Sequence, residues 1–171
     1  MSGQSKKVRR ASPCSQKALK ISAKARYALR ILLDVATFAS EEAPRTGAAI
    51  AEAQQISEKF LSRIVVTLRR GGLLRSVRGN VGGFRLAKSP DDISLLDVIE
   101  ATQGSVAILD CLAPGATCPR KRTCLARRAW SDVNDAFVAT LAKISLASVL
   151  RRDQAGRGQA RPMMPRTVPR R

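Results

Sequence analysis

Histidine is absent from this chain of 171 residues. With no imidazole, the catalytic triads and dyads that use it as a base are excluded, and so are metal sites that require it as a ligand. Aromatic residues are scarce at 4% of the chain, with one Trp and one Tyr. Acid is short too: 13 Asp+Glu face 31 Lys+Arg, a formal net charge of +18. No long apolar run exists. The most apolar stretch, Ala28 to Ala39, is broken by Arg30 and Asp34 and falls short of the ~20 residues that span a bilayer. The N-terminus lacks the apolar core of a secretory signal, and its basic stretch passes unbroken into a helical pattern, which argues against a transit peptide. The chain therefore reads as cytoplasmic with no membrane partner. Its 4 Cys read as thiols or metal ligands rather than disulfides.

What is present is basic charge, unevenly placed. Residues 1–20 hold six basic residues and no acid, and residues 151–171 hold seven Arg beside Asp153 alone. The two ends carry twelve of the eighteen net charges, which leaves +6 for residues 21–150. Basic tails are weak evidence for a nucleic-acid partner, because solvated arms of this kind are common. Residues 1–19 read as a disordered basic arm and 151–171 as a disordered Arg/Pro-rich tail. The composition, 44% hydrophobic, is ample for one packed domain between them.

Within that domain the periodicity is helical. Leu29, Leu32, Leu33, Ala36 and Ala39 recur at three- and four-residue steps, which predicts a helix over Lys24 to Ala39. Thr46 is the expected N-cap of a short helix, Gly47 to Gln54, and Ser57 that of a third, Glu58 to Arg70, stopped by Gly71-Gly72. Three helices with short connections form a helix-turn-helix arrangement. On the third, Phe60, Leu61, Ile64, Val65 and Leu68 make the apolar stripe, while Lys59, Arg63, Thr67 and Arg70 share the opposite face. Leu73 to Val77 and Phe84 to Ala87 then read as strands around a glycine-rich turn, a β-hairpin. From Lys59 to Lys88 there are eight basic residues and no acid. Solvated faces mix charge signs, so a purely basic helix and hairpin point to double-stranded DNA. The candidate DNA contacts are Ser57, Lys59, Arg63, Thr67, Arg70, Arg75, Arg78 and Arg85.

The rest is helical and irregular. Ser94 and Asp97 have capping-box spacing and open a helix over Leu95 to Thr102. A loop from Gly104 to Thr123 follows, then an amphipathic helix from Cys124 to Lys143 with Ala126, Trp130, Val133, Phe137 and Leu141 on one side, and a short helix over Ile144 to Leu150. Cys111, Cys118 and Cys124 are spaced C-x6-C-x5-C, while Cys14 lies apart in the arm. That spacing is no zinc ribbon, which shows paired C-x2-4-C knuckles. Three soft donors on one loop can close around an iron–sulfur cluster, or they can be plain thiols. Arg120, Lys121, Arg122, Arg127 and Arg128 nearby would favour thiolates and offset the charge of a thiolate-bound cluster.

The segments KISAKARYALRILLDVA, IAEAQQISEKFLSRIVVTLRRGGLLRSVRGNVGGFRLAK, ISLLDVIEATQG, CPRKRTCLARRAW and KISLASVL occur in this order between Lys20 and Leu150. Over these residues the chain resembles the winged-helix regulators that include the iron–sulfur sensor IscR and the nitric-oxide sensor NsrR. The resemblance implies a mainly α fold: a winged helix-turn-helix domain with a small β-hairpin wing (20–90), then a cysteine loop and dimerisation helices (91–150). It implies a homodimeric transcriptional regulator, foremost a repressor, on a near-palindromic operator. Lys59, Arg63 and Thr67 would enter the major groove, with Arg78 at the wing tip. Cys111, Cys118 and Cys124 would hold a cluster, first choice [2Fe–2S] with [4Fe–4S] or none as alternatives, whose state sets DNA affinity.

The chain also departs from that pattern. Arg127 stands at the histidine ligand's position and has no lone pair to give. Arg26 stands where a carboxylate completes the related site. Asn80 and Val81 replace the family's Pro and Gly in the wing. Asp110, Asp132, a water or added thiol, and Cys14 are the candidates for the fourth ligand. Two alternatives accompany this reading: a cluster-free winged-helix regulator whose thiols sense redox state directly, and a non-specific basic nucleic-acid-binding protein. No phosphate loop and no catalytic carboxylate pair is present, so an enzyme is not expected.

Overall fold

The computed structural model describes residues 21–40, 43–79 and 82–157. The expected arm, Cys14, Asn80, Val81 and the tail beyond 157 lie outside these residues. The element order is α1 (Ala23–Phe38), α2 (Gly47–Gln54), α3 (Glu58–Arg70), β1 (Leu74–Val77), β2 (Gly83–Leu86), α4 (Leu95–Gln103), α5 (Leu125–Lys143) and α6 (Leu146–Arg157). Two short 3-10 turns, Pro90–Asp92 and Asp110–Leu112, punctuate the connections. The fold class is the expected one, mostly helical with a two-stranded wing.

Each boundary has a local cause. The hydroxyls of Ser22, Thr46 and Ser57 accept from the backbone N–H three residues on, capping α1, α2 and α3. At Ser94 both halves of the capping box form with Asp97. Helix α2 stops at Gln55, whose φ of 53° turns the chain sharply into α3. Gly71 ends α3 under a tight contact, since a Cβ there would stand 2.8 Å from Ala101 Cβ, so glycine lets α4 pack closely.

Helix α1 lies at the centre. Ala28, Ile31, Leu32 and Val35 pack with Ile50 of α2, Leu61, Ile64, Val65 and Leu68 of α3, Leu74 of the wing, Val98 of α4 and Leu146 of α6. Most of these are fully buried, each aliphatic side chain contributing ~1.5–3 kcal/mol of transfer free energy. A second, smaller cluster of Ile99, Val106 and Leu141 joins α4 to α5, with Phe137 and Val138 beside it. Helix α6 continues to Arg157, past the Leu150 boundary expected from sequence. No proline interrupts residues 151–157, and Arg151 reaches Asp91 at 3.3 Å, so the helix extends into residues whose composition reads as tail.

The wing pairs Leu74 with Leu86, Arg75 with Arg85, Ser76 with Phe84 and Val77 with Gly83, antiparallel. It is fastened to the helices by a one-residue bridge. Arg45 N–H donates to Phe84 O (3.1 Å) and Phe84 N–H to Arg45 O (2.8 Å). A Cβ on Gly83 would stand 2.6 Å from Arg45 O and 2.8 Å from its carbonyl carbon. These are backbone atoms without a soft escape. Gly83→Ala is therefore expected to destabilise the fold by about 1–3 kcal/mol in urea melts, with faster hydrogen exchange at Phe84 and Arg45.

Candidate nucleic-acid interface and cysteine loop

Helix α3 shows solvent a basic side. Lys59, Arg63, Arg69 and Arg70 are exposed, and among α3 residues only Glu58, at the first position, is acidic. Lys59, Arg63, Val66 and Arg70 follow one another at helical repeat, so Val66, 45% exposed, sits between cations as an apolar spot that the sequence reading missed. An apolar residue on such a face fits contact with a thymine methyl. Its only sequence signal was a valine outside the apolar stripe.

The other expected contacts divide. Ser57 spends one lone pair on the cap, with its hydroxyl accepting from Phe60 N–H at 3.2 Å. Thr67 is half-buried and donates its hydroxyl proton to Arg63 O (3.1 Å), so its proton serves the helix rather than a base. Arg70 and Arg75 line one groove with Val66, Arg69, Leu74 and Ser76, a cavity of about 520 Å³ between α3 and β1. Arg78 is exposed at the end of β1, beside Gly79 with its φ of 139°. Arg85 is half-buried and lines a different cleft, with Arg75 and Lys88.

Sequence reading also missed what holds this surface in place. Asp34, 6% exposed, is the one charged residue buried among the described ones. Its carboxylate accepts from Arg45 Nε (2.7 Å) and Gln54 Nε2 (3.0 Å). Gln54 Oε1 in turn accepts from Arg30 Nε (2.9 Å). The Arg30 guanidinium lies 5.2 Å from the Tyr27 ring centroid, and Tyr27 meets Phe60 of α3 edge-on at 5.4 Å. This chain of contacts runs from the wing's anchor to the start of α3. The available signal was Asp34 itself, a charge inside an apolar helix.

The three loop cysteines are free thiols, all half-buried. Cys111 sits in the 3-10 turn Asp110–Leu112, and Cys124 is the N-cap residue of α5 without a side-chain cap bond. The loop is tied to α5 twice. Ile108 N–H donates to Asn134 Oδ1 (3.0 Å), and Arg127 Nη2 reaches Cys111 O at 3.5 Å. The Arg127 Nε is buried with no acceptor among the described residues.

For an iron–sulfur cluster, the donor chemistry fits and the arrangement does not. Thiolates suit iron and the basic surroundings offset charge. Yet among the described residues no three of His, Cys, Asp and Glu are grouped to hold a metal ion. Asp110 and Asp132 are exposed. Cluster binding on these cysteines requires the loop to close from its present shape.

Helix α5 also leaves apolar surface bare. Leu125 is 77% exposed, Trp130 48% and Val133 51%, within one broad arc of the helix. No helix among the described residues is long and apolar enough to cross a membrane.

Residues 21–152 match the family model described as "Rrf2: Iron-dependent Transcriptional regulator". The chain is 35% identical over 133 residues to Protein rrf2 of Nitratidesulfovibrio vulgaris, covering 78% of this chain and 88% of that protein. To the HTH-type transcriptional regulator IscR of Aliivibrio salmonicida it is 37% identical over 132 residues, 77% of each chain. Among solved structures it is similar to CymR, the global cysteine regulator of B. subtilis, with a TM-score of 0.65 and 31% identity over 78% of this chain and 98% of that one. T. potens IscR gives a TM-score of 0.64 and 30% identity over 85% and 94%.

Proposed function

The chain belongs to the Rrf2 family of DNA-binding transcriptional regulators, and from that premise we propose that it is a cytoplasmic repressor that binds a near-palindromic operator as a homodimer. The observation that carries this reading is the basic side of α3, without acid from Lys59 to Arg70, next to the basic wing. Lys59 and Arg63 enter the major groove, Ser57 and Arg70 meet flanking phosphates, and Arg78 reaches the minor groove from the wing. Arg75 and Arg85 contribute field rather than base contacts, being drawn toward the clefts beside the strands. Regulation, not catalysis, is the activity.

Footprinting on the chain's own promoter region tests the reading, with protection expected over two half-sites about one helical turn apart. Arg63→Ala should weaken operator binding by ~1–3 kcal/mol if the guanidinium reads a base. An unchanged affinity moves that residue off the interface. Binding that ignores sequence, and loses most of its salt dependence when residues 1–19 and 158–171 are deleted, would replace the regulator with a non-specific basic binder.

Control of affinity lies in the cysteine loop. An iron–sulfur cluster, of which [2Fe–2S] is the preferred type, held by Cys111, Cys118 and Cys124 would couple metal status to the operator. The chain is similar to IscR proteins over most of its length, and its donors are of the right kind. When bound, the cluster supplies an oxidisable, ligand-exchangeable centre. The residues' own part is to bring three thiolates together and to shield them with Arg127 and its basic neighbours. Anaerobic purification followed by iron and sulfide assay and a visible spectrum decides it: protein without iron, sulfide or colour refutes the cluster and leaves DNA binding standing.

A second reading is favoured by the free thiols of the loop and by the likeness to CymR. Here two loop thiols reduce peroxide to water and become a disulfide, changing the loop's shape. Peroxide-dependent operator release by iron-free protein, absent in Cys118→Ser, is its signature.

A further inference from the structure

Val66 is the one apolar residue of α3 that stands exposed. At about 100° per residue, Lys59, Arg63, Val66 and Arg70 fall within an arc of about 60°. The buried Leu61, Ile64, Val65 and Leu68 lie directly opposite. The valine therefore occupies the middle of the solvent side, not the margin of the core. Nothing in the fold asks for it there. Valine is a poorer helix former than alanine, and Val66 belongs to neither core cluster. Its branched Cβ holds one preferred χ1 in a helix, so the two methyl groups present a fixed apolar shape.

The neighbouring side chains define what can meet that shape. Lys59, Arg63 and Arg70 are exposed and can only donate hydrogen bonds. The hydroxyls of Ser62 and Thr67 spend their protons within the helix, on Glu58 O (2.8 Å) and Arg63 O (3.1 Å). A protein surface covering Val66 would desolvate the flanking cations with it, which is costly without counter-charge. Duplex DNA brings that charge in its phosphates. In the major groove, thymine is the base whose edge carries both an acceptor, O4, and an apolar group, the 5-methyl. Cytosine has an amino donor where thymine has O4, and that donor would face donors here. We propose that Val66 is a specificity-determining residue that packs on the 5-methyl group of one thymine in each half-site. Arg63, one turn before it, donates to the adjoining base pair, and Arg70, one turn after it, holds the backbone. This contact rests on the operator reading, in which α3 enters the major groove.

Selection from a random duplex library with the full chain supplies the site, and deoxyuridine then replaces its thymines one at a time. Deoxyuridine pairs as thymine does and lacks only the methyl group. One position per half-site should lose about fourfold in affinity on this change, the worth of one methyl group returned to water. Val66→Ala should bind the thymine site about fourfold more weakly and show no further loss with deoxyuridine at that position. Alanine is the better helix former, so the variant should melt no lower than the wild type, which separates loss of contact from loss of fold. A selected site in which no thymine is sensitive to deoxyuridine overturns the proposal and leaves the operator reading standing. So does a deoxyuridine penalty that persists undiminished in Val66→Ala, since another side chain then reads the methyl. A library that yields no preferred sequence overturns the operator reading and the proposal with it.

Discussion

Arg45→Met should cost more stability than Asp34→Ala, and the two together should cost less than their sum. Asp34 is nearly sealed, with 3% of its side chain exposed, while Arg45 keeps 23%. Removing one member of a buried ion pair leaves the other without compensation, typically at ~3–5 kcal/mol. Arg45→Met strands the more deeply buried charge, with Gln54 Nε2 as its remaining donor from this network. It also removes the guanidinium stacked 4.7 Å from the centroid of the exposed Phe38 ring. Asp34→Ala strands a cation that can still lean into water, so about 2–4 kcal/mol is expected, a fall in melting temperature of roughly 10 °C. The double variant has no orphaned charge and should recover part of the loss, a coupling of about 1–3 kcal/mol. Urea denaturation of all four proteins closes this cycle. Strict additivity would mean that the 2.7 Å contact carries no energy of its own.

The same network shows where sequence reading stopped. Helices α1 to α5 were legible because their causes are local: apolar residues at three- and four-residue steps, Ser57 and Thr46 as caps, the Ser94–Asp97 capping box, glycines at Gly71 and Gly79. Arg45 was silent. Its role depends on Phe84 and Asp34 arriving from other parts of the chain, and no spacing encodes that meeting. Thr67 shows a related effect: helical geometry puts it near the basic side, and only the structure shows the carbonyl of Arg63 taking its hydroxyl proton. Val66 was invisible because a pattern that sorts apolar from charged positions has no place for an apolar residue facing water. At the loop, three cysteines within fourteen residues marked the candidate donors. Spacing could not reveal that the chain between them holds the thiols apart, or that Arg127 turns back to the carbonyl of Cys111. The C-terminal boundary slipped because Arg-rich composition reads as tail, whereas a helix already under way needs only the absence of proline to continue.

Trp130→Glu should convert the protein to a monomer and cut operator affinity by about 10²–10⁴, the range over which linking two binding modules raises avidity. Trp130 and Val133 lie outside the small α4–α5 cluster and are about half exposed, with Leu125 more so. A buried Trp removes 150–250 Å² from water, a large part of the ~800 Å² that each partner of a stable pair contributes. A carboxylate in the centre of that surface would be desolvated without a partner, which the associated state cannot tolerate. Because Trp130 is outside both core clusters, the melting temperature of the single chain should move little. This separates loss of association from loss of fold. The chain's one tryptophan is also its own reporter. In the wild type its emission should shift to shorter wavelength as concentration rises, in step with the doubling of mass seen by light scattering. If Trp130→Glu remains a dimer at micromolar concentration, the two copies do not meet through α5. If it becomes a monomer yet keeps full operator affinity, each half-site is bound independently and the dimer plays no part in recognition.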